Sequence, residues 1–362
     1  MGMLRAGLIG LPSTGKTTLF QLLTQGAPGS SSNRFGRIGA QMGMATVPDS
    51  RLDQLAKIYN PKKRTPATVT FVDIGGTTAT RSLVDVAAYR EADTLLHVVR
   101  AFTASEIPHV ENTIDPARDV QAIEVELILA DLAVAEKRLD RIRRDRKKTT
   151  SRDLDVEAAL LEQCCKQLED GLPIRSMELN QTEAKTLRGF QFLSAKPLLL
   201  VNNVDEKELH SANDTLESAN LKEMLDRPKI ESVRVCAKIE LEISELDPSD
   251  EKIFLADLGL NRPGLDRIVQ ATYGLLGYIS FFTVGEDECR AWSIPAGTSA
   301  NQAAGEIHTD IERGFIRAEV VKHACLLHRG AIAACRDHGE VRLEGKDYVV
   351  KDGDVINFRF AV

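Results

Sequence analysis

Two rhythms of apolar residues run along this chain. Short apolar or β-branched runs at Met3–Gly10, Thr68–Ile74, Thr94–Val99, Leu198–Val201 and Arg234–Cys236 predict buried strands. Stretches of helical period separate them, beginning with Thr18–Thr24, and this alternation predicts an α/β domain with a parallel sheet. Residues 26–37 are rich in Gly, Ser and Asn and read as a loop. The middle of the chain changes rhythm. Val125, Ile128, Leu132, Ala135, Leu139 and Ile142 step by three and four, as do Leu154, Ala158, Leu161, Cys165 and Leu168. Each set is a heptad-like seam, so two antiparallel helices forming a projecting coiled-coil hairpin are expected. Past Gly277, strand-like runs at Ile279–Val284, Arg290–Ile294, Asp347–Val350 and Val355–Phe360 surround a helical Ala300–Arg313. They predict a small α+β domain. The expected organisation is a nucleotide-binding domain over 1–120 and 198–277, a helical insertion over 121–197, and a C-terminal domain over 278–362.

The first strand runs into Gly10-Leu11-Pro12-Ser13-Thr14-Gly15-Lys16-Thr17, which fits G-x-x-x-x-G-K-[ST] between strand and helix. Glycines let backbone N–H groups turn around a phosphate, and the helix N-terminus adds its positive dipole end. Gly10, Pro12, Ser13, Thr14, Gly15, Lys16, Thr17 and Thr18 are therefore expected around a nucleotide's phosphates. Lys16 would reach the β- and γ-phosphates, and the Thr17 hydroxyl would ligate Mg²⁺. Asp73-Ile74-Gly75-Gly76 ends a strand as D-x-x-G. In nucleotide switches such an Asp meets Mg²⁺ through water, and the Gly76 N–H would sense the γ-phosphate. A base-reading element follows Leu198–Val201 in two possible registers: Asn202 with Asp205, or Asn203 with Glu206. Both lack the Lys of the guanine-reading N-K-x-D. The missing Lys counts against guanine selectivity, although a carboxylate gains nothing from the N1 acceptor of adenine.

Charge and composition narrow the classes. The 362 residues carry 46 Lys and Arg against 53 Asp and Glu, a net charge of −7, so a globally basic nucleic-acid binder is excluded and DNA is not an expected partner. Six cysteines without a C-x-x-C pair suggest neither zinc nor a disulfide framework and fit a reducing cytosol. Cys164 and Cys165, adjacent on a helix, are expected to pack rather than pair. No apolar run nears the ~18–20 residues that span a bilayer, and Ala6–Leu11 is too short for an export signal. A cytoplasmic protein without membrane contact is the expectation. Between Glu136 and Lys148, eight basic residues face three acidic ones, a local charge of +5 at the hairpin tip that could meet RNA phosphates.

These motifs, in this order, resemble the YchF family, also called Obg-like ATPases, over nearly the whole length. Asn203-Val204-Asp205-Glu206 and Cys236-Ala237-Lys238 fall in the family's places. So do Arg290-Ala291-Trp292, Gln302–Asp310, Gly314–Val320, Leu343–Tyr348 and Lys351–Val355. The resemblance implies a Ras-like P-loop NTPase domain, a coiled-coil arm and a C-terminal TGS module of β-grasp fold. It implies Mg²⁺-dependent hydrolysis of the β–γ bond of ATP or GTP, a ribosome or RNA partner, and the Asn203/Glu206 register, which favours ATP. Val204, Ala237 and Lys238 join the base site by the same resemblance. Lacking a Gln after Gly76, the family uses a loop histidine to order the attacking water, and Ile107-Pro108-His109-Val110 places His109 there.

The chain departs from the family pattern in three places. Ser13 and Thr14 replace the family's Asn and Val, so potassium activation is not expected. Ser30–Ala45 holds no Thr or Pro where the first switch has P-F-x-T-I; Ser31 or Ser32 would have to substitute. Thr77-Thr78-Ala79-Thr80 follows D-x-x-G in place of Leu-Val-x-Gly. Two functions remain open on these residues: a hydrolase used as a translation-linked switch, and a nucleotide-sensing adaptor with negligible turnover. A metabolic kinase would need an acceptor site that the sequence does not display.

Overall fold

A computed structural model describes the chain except residues 1–3, 26–32, 36–39, 75–88, 105, 108, 110, 148–150, 210–218 and 362. The strands, in chain order, are β1 (Arg5–Ile9), β2 (Asn33–Phe35), β3 (Ala40–Thr46), β4 (Lys63–Thr65), β5 (Thr68–Ile74), β6 (Thr94–Ala101), β7 (Leu198–Val204), β8 (Ile230–Val235), β9 (Tyr278–Thr283), β10 (Glu288–Pro295), β11 (Phe315–Lys322), β12 (Arg342–Glu344) and β13 (Asp354–Phe360). Compactness divides the chain into two units. One holds residues 5–43 and 70–268; the other holds 1–4, 44–69 and 269–362.

The first unit is built on a seven-stranded sheet ordered β2-β3-β5-β1-β6-β7-β8. From β5 to β8 every neighbour is parallel. Parallel strands are covered on both faces and so read as continuous apolar runs, which is why β6 and β7 are buried at every position. β1 lies between β5 and β6, so crossovers depart from it to both sides. That reversal opens a crevice at the carboxyl ends of the strands, where ligands bind in open α/β sheets. The loops after β1, β6, β7 and β8 all leave from this edge.

The helix Pro116–Arg146 begins with the Asp115 side chain accepting the Arg118 N–H and with Pro at its first turn. Its early face, Val120, Ile123 and Leu127, joins the core of the sheet. From Ile128 onward Ala135, Leu139 and Ile142 pack instead against Ala158, Leu161, Cys165 and Leu168 of the helix Arg152–Glu169. The predicted two-helix hairpin is therefore present. Val125 is an exception to its seam: it is 51% exposed, because the helix has not yet left the sheet at that turn. Cys164 and Cys165 are both buried free thiols, and burial pushes the Cys164 thiol up to about 12.

The second unit carries a six-stranded sheet ordered β12-β11-β13-β9-β10-β4. A β9–β10 hairpin leads into the helix Ala300–Ile307, and β13 returns parallel to β9 while pairing antiparallel with β11. This is a β-grasp arrangement, closed over Phe281, Ile294, Ala303, Val320 and Ile356. Trp292 packs there, its indole N–H donating to the Thr283 hydroxyl at 2.9 Å. Four sequence expectations need correction. Asp347–Val350 is a turn with a single bridge from Val349 to Ser299, because its backbone caps the helix at Ala300 rather than joining a ladder. The helical Ala300–Arg313 is two helices, since His308 is extended and caps the second through its ring. β7 runs through Asn202 and Asn203 to Val204, where the sequence suggested an end at Val201. Within residues 26–37 the described part, Asn33–Phe35, is a strand; the rest lies outside the described residues.

Candidate functional site

The loop after β1 takes the conformation its glycines allow. Gly10 and Gly15 have φ of 143° and 94°. A Cβ on Gly10 would lie 2.4 Å from the Val98 carbonyl oxygen, and one on Gly15 would lie 2.5 Å from the Asn203 amide nitrogen. Both positions therefore exclude side chains by backbone angle and by space. Ser13 also takes positive φ, at 62°. Thr14 is buried, with its hydroxyl donating to the Leu11 carbonyl at 3.1 Å. The helix Lys16–Thr24 opens directly from the loop, so its free N–H groups and dipole face the loop's interior.

Lys16 folds back across the loop and donates to the carbonyls of Gly10 at 2.8 Å and Leu11 at 2.6 Å. Burial lowers its ammonium to about 8, although Asp73 pulls in the other direction. Beneath the loop, His97 on β6 is fully buried, and burial, with the Lys16 charge, holds it down at about 3. It stays neutral and adds no second cation under the phosphates.

The parallel register sets Asp73 opposite Leu8, one strand from the loop. The Thr17 hydroxyl donates to Asp73 Oδ2 at 3.0 Å. Asp73 Oδ1 is buried and has no hydrogen-bond partner among the described residues, and burial raises this carboxyl's pKa. A hydroxyl and a buried carboxylate with an unengaged oxygen form a hard-oxygen donor pair that fits Mg²⁺, which takes one or two protein ligands and completes its shell from water and substrate phosphates. No cluster of three or more His, Cys, Asp or Glu that could hold a metal occurs among the described residues. Gly76 and the rest of the segment after Ile74 lie outside the described residues, as do Ser31 and Ser32.

A cleft of about 750 Å³ opens beside the loop, lined by Ser13, Gly15 and Thr18, by Phe102–Ala104 and Ile107, and by residues 203–207 and 236–238. Here the two base-reading registers separate. Asn203 is buried and uses both ends of its amide: Nδ2 donates to the Thr14 carbonyl and Oδ1 accepts the Ala237 N–H, each at 3.0 Å. It braces the phosphate loop against the start of the helix Ala237–Ser244. Asp205 accepts from the Thr103 N–H at 3.0 Å and its hydroxyl at 2.8 Å. Asp205 is thus engaged in holding the wall of the cleft, while Glu206 and Lys238 remain exposed on its rim.

His109 is placed differently. It does not line the cleft. Its side chain is 4% exposed; Nδ1 accepts the Glu111 N–H at 3.1 Å and Nε2 lies 2.9 Å from Asp119 Oδ2. An accepting Nδ1 makes Nε2–H the donor to Asp119, so both ring nitrogens are engaged. Arg118 donates to the other Asp119 oxygen at 2.8 Å. Pro108 and Val110 on either side are outside the described residues.

At 41% identity, covering 99% of this chain and all of the other, the sequence is similar to the Ribosome-binding ATPase YchF of Bacillus subtilis (strain 168). The chain belongs to the YchF family. The YchF of Escherichia coli O157:H7 is 39% identical with 99% of each chain covered. The structure of the Schizosaccharomyces pombe YchF GTPase superposes with a TM-score of 0.87 at 29% identity, over 99% of this chain and 98% of that one. Residues 278–361 match the YchF-GTPase_C family, described as "Protein of unknown function (DUF933)", and residues 5–133 match one described as "50S ribosome-binding GTPase". The Ras-like sheet with a helical insertion and a β-grasp module is thus the YchF architecture.

Several residues of this YchF site were not singled out by sequence reasoning. Arg100, buried on β6, donates to the Ile107 carbonyl at 2.9 Å and holds its guanidinium 4.7 Å from the centre of the Phe102 ring, shaping the wall that Thr103 and Asp205 also fix. Their available signal was position: they follow the carboxyl end of a central parallel strand, next to the one that leads into the phosphate loop. His97 gave none, because a histidine inside an apolar strand looks like any satisfied core residue.

Proposed function

We propose that this chain binds a nucleoside triphosphate with Mg²⁺, hydrolyses its β–γ bond with ATP preferred over GTP, and works as a ribosome-associated switch in the cytoplasm. The observation that carries the reading is the Thr17–Asp73 pair next to the Lys16 ammonium, at the mouth of a loop whose glycines turn N–H groups inward. Thr17 and Asp73 would hold the Mg²⁺, which when bound neutralises charge on the β- and γ-phosphate oxygens. Lys16 exchanges its two carbonyl partners for phosphate oxygens and stabilises the charge that grows as the bond breaks. Water attacks the γ-phosphorus, the β–γ bridging bond opens, and the diphosphate and inorganic phosphate leave.

The preference for ATP rests on engaged groups. Guanine recognition needs a carboxylate for its N1–H and exocyclic amine. Asp205 Oδ2 already accepts two bonds from Thr103, and each end of the Asn203 amide already holds a protein partner. Glu206 remains on the rim. The ribosome comes from the ribosome-binding YchF relatives and from the basic arm; the cytoplasm comes from the same partner. No helix among the described residues is long and apolar enough to cross a membrane.

His109 orders the attacking water in this reading, which requires it to exchange the Asp119 carboxylate for water at Nε2. A second reading, a nucleotide-sensing adaptor with negligible turnover, draws on the same bond: in this conformation His109 has no nitrogen to offer. One phosphate-release assay with ATP and GTP, with and without ribosomes, tests both. The hydrolase reading expects faster release with ATP, and about a 10²-fold lower kcat in His109→Ala with little change in nucleotide affinity. Equal and negligible rates for both proteins would leave the adaptor.

At the arm, Arg143 and Arg146 are paired to Asp140 and Asp155 across exposed positions, where such pairs contribute little and are readily exchanged for phosphates. Replacing Arg143, Arg144, Arg146 and Lys147 by Ala is expected to weaken ribosome co-sedimentation and to flatten its dependence on salt. Unchanged binding with an unchanged salt slope would remove the arm from the interface. Lys148 lies outside the described residues.

A further inference from the structure

A second cleft lies at the opposite end of the sheet from the phosphate loop. Its walls come from residues 90–93 just before β6, Pro197 just before β7 and Lys229 just before β8, so it sits at the amino ends of strands whose carboxyl ends bear the site described above. The segment 174–196 at the base of the helical arm closes it, and its volume is about 430 Å³. That is within the range of small-molecule sites.

Its lining is rich in cations, two of which, Arg90 and Arg175, are ion-paired to the buried Asp131 and Glu124. Five lining residues are cationic and two acidic. Both acids are engaged elsewhere: Glu91 pairs with Arg5 Nη1 at 2.9 Å, and Asp93 accepts the Arg5 backbone N–H at 2.9 Å. Arg90 is engaged by Asp131 and by the carbonyls of Ala130 and Gln191, and the other four cations keep donors in reserve. Arg175 has a fully buried side chain; Nε donates to the Lys196 carbonyl at 2.9 Å and Nη1 to Glu124 at 2.6 Å, while Nη2 has no partner among the described residues. Lys196 gives two of its three N–H groups to the carbonyls of Arg90 and Ala92. Arg188 and Lys229 are exposed and form no ion pair among the described residues. Apart from Gln191, the remaining accessible wall is apolar, with the half-buried Leu179, Ala184 and Ala195 in front of the buried Ile174, Leu187 and Phe192.

A buried guanidinium with an unused edge, beside three further cations and an apolar wall, is suited to an anion that carries a hydrophobic body. We infer that this cleft binds a small phosphate-bearing ligand of the nucleoside monophosphate type, its phosphate on Arg175, Arg188, Lys196 and Lys229 and its body against Leu179, Ala184 and Ala195. The site does not depend on the phosphate loop. The arrangement lets a ligand act on the arm, because residues 174–196 belong to the hydrophobic cluster that anchors the two arm helices.

Calorimetric titration with AMP and with inorganic phosphate tests this, using the full chain, Lys16→Ala and the double variant Arg188→Ala/Lys229→Ala. Both substituted residues of the double variant are exposed, so folding is retained. AMP is expected to bind the full chain and Lys16→Ala alike, and about tenfold or more weakly to the double variant, as for loss of charge-assisted hydrogen bonds. It should bind more tightly than inorganic phosphate, and amide exchange should slow at 174–188. Loss of binding in Lys16→Ala with none in the double variant would assign AMP to the phosphate loop and overturn the inference. Absence of binding to all three proteins would do the same. Tighter binding of a 5′-phosphorylated oligoribonucleotide than of AMP would replace the small ligand with RNA.

Discussion

Lys16→Ala is expected to lower affinity for Mg·ATP by about 10²–10⁴-fold while leaving the chain folded. Two charge-assisted hydrogen bonds to phosphate are lost, each worth ~1.5–3 kcal/mol. The fold survives because Lys16 holds only the carbonyls of its own loop, Gly10 and Leu11, and supports no core cluster. Binding of a fluorescent ATP analogue measures this, and undiminished affinity would end the phosphate-loop assignment. A pH dependence accompanies it. Burial brings the Lys16 ammonium from 10.5 down to about 8, so between those values the unfolded chain holds more protons than the folded one. Stability should therefore rise with pH across that window, and below it the cost of the buried charge is fully present. Lys16→Met should lack that rise in urea titrations. Triphosphate binding restores the proton, so affinity in the unsubstituted chain should fall as pH passes above about 8.

Asn203→Ala is expected to cost about 2–5 kcal/mol of the first unit's stability. The reason is the asymmetry of buried hydrogen bonds: removing the amide leaves the Thr14 carbonyl and the Ala237 N–H without partners, at ~1–3 kcal/mol each. Nucleotide affinity should fall with it, since the phosphate loop loses its brace. Asn203→Asp keeps an acceptor for Ala237 but has no donor for Thr14, so an intermediate loss is expected. Denaturant unfolding checks the series. A variant as stable as the parent would show that the loop holds its shape without the brace, and Asn203 would then return to the base site.

The phosphate loop was legible in the sequence because its requirements are local. Gly10 and Gly15 answer to backbone angles, Lys16 and Thr17 to the first turn of one helix. The parallel sheet was legible because a strand buried on both faces must be apolar throughout, as β6 and β7 are. The two seams of the arm were legible for a similar reason, except where the helix Pro116–Arg146 changes its packing partner.

What the tertiary structure decided are the uses of polar groups whose partners are distant in the chain. Thr17 meets Asp73 across 56 residues, and Asn203 reaches Thr14 across 189. A strand pattern cannot tell whether an asparagine at its end reads a base or braces a loop; only the partner decides. Spacing offered Asp205 and Glu206 alike as base carboxylates, and geometry ties Asp205 to Thr103 in the cleft wall. His109 was expected beside the attacking water by its place in the family pattern, and its ring is held between Glu111 and Asp119. β4 joins the second sheet beside β10 although more than 200 residues separate them. Periodicity records which side of an element is buried. It carries no record of which partner a buried polar atom finds, because hydrogen bonding is satisfied atom by atom once the chain has closed.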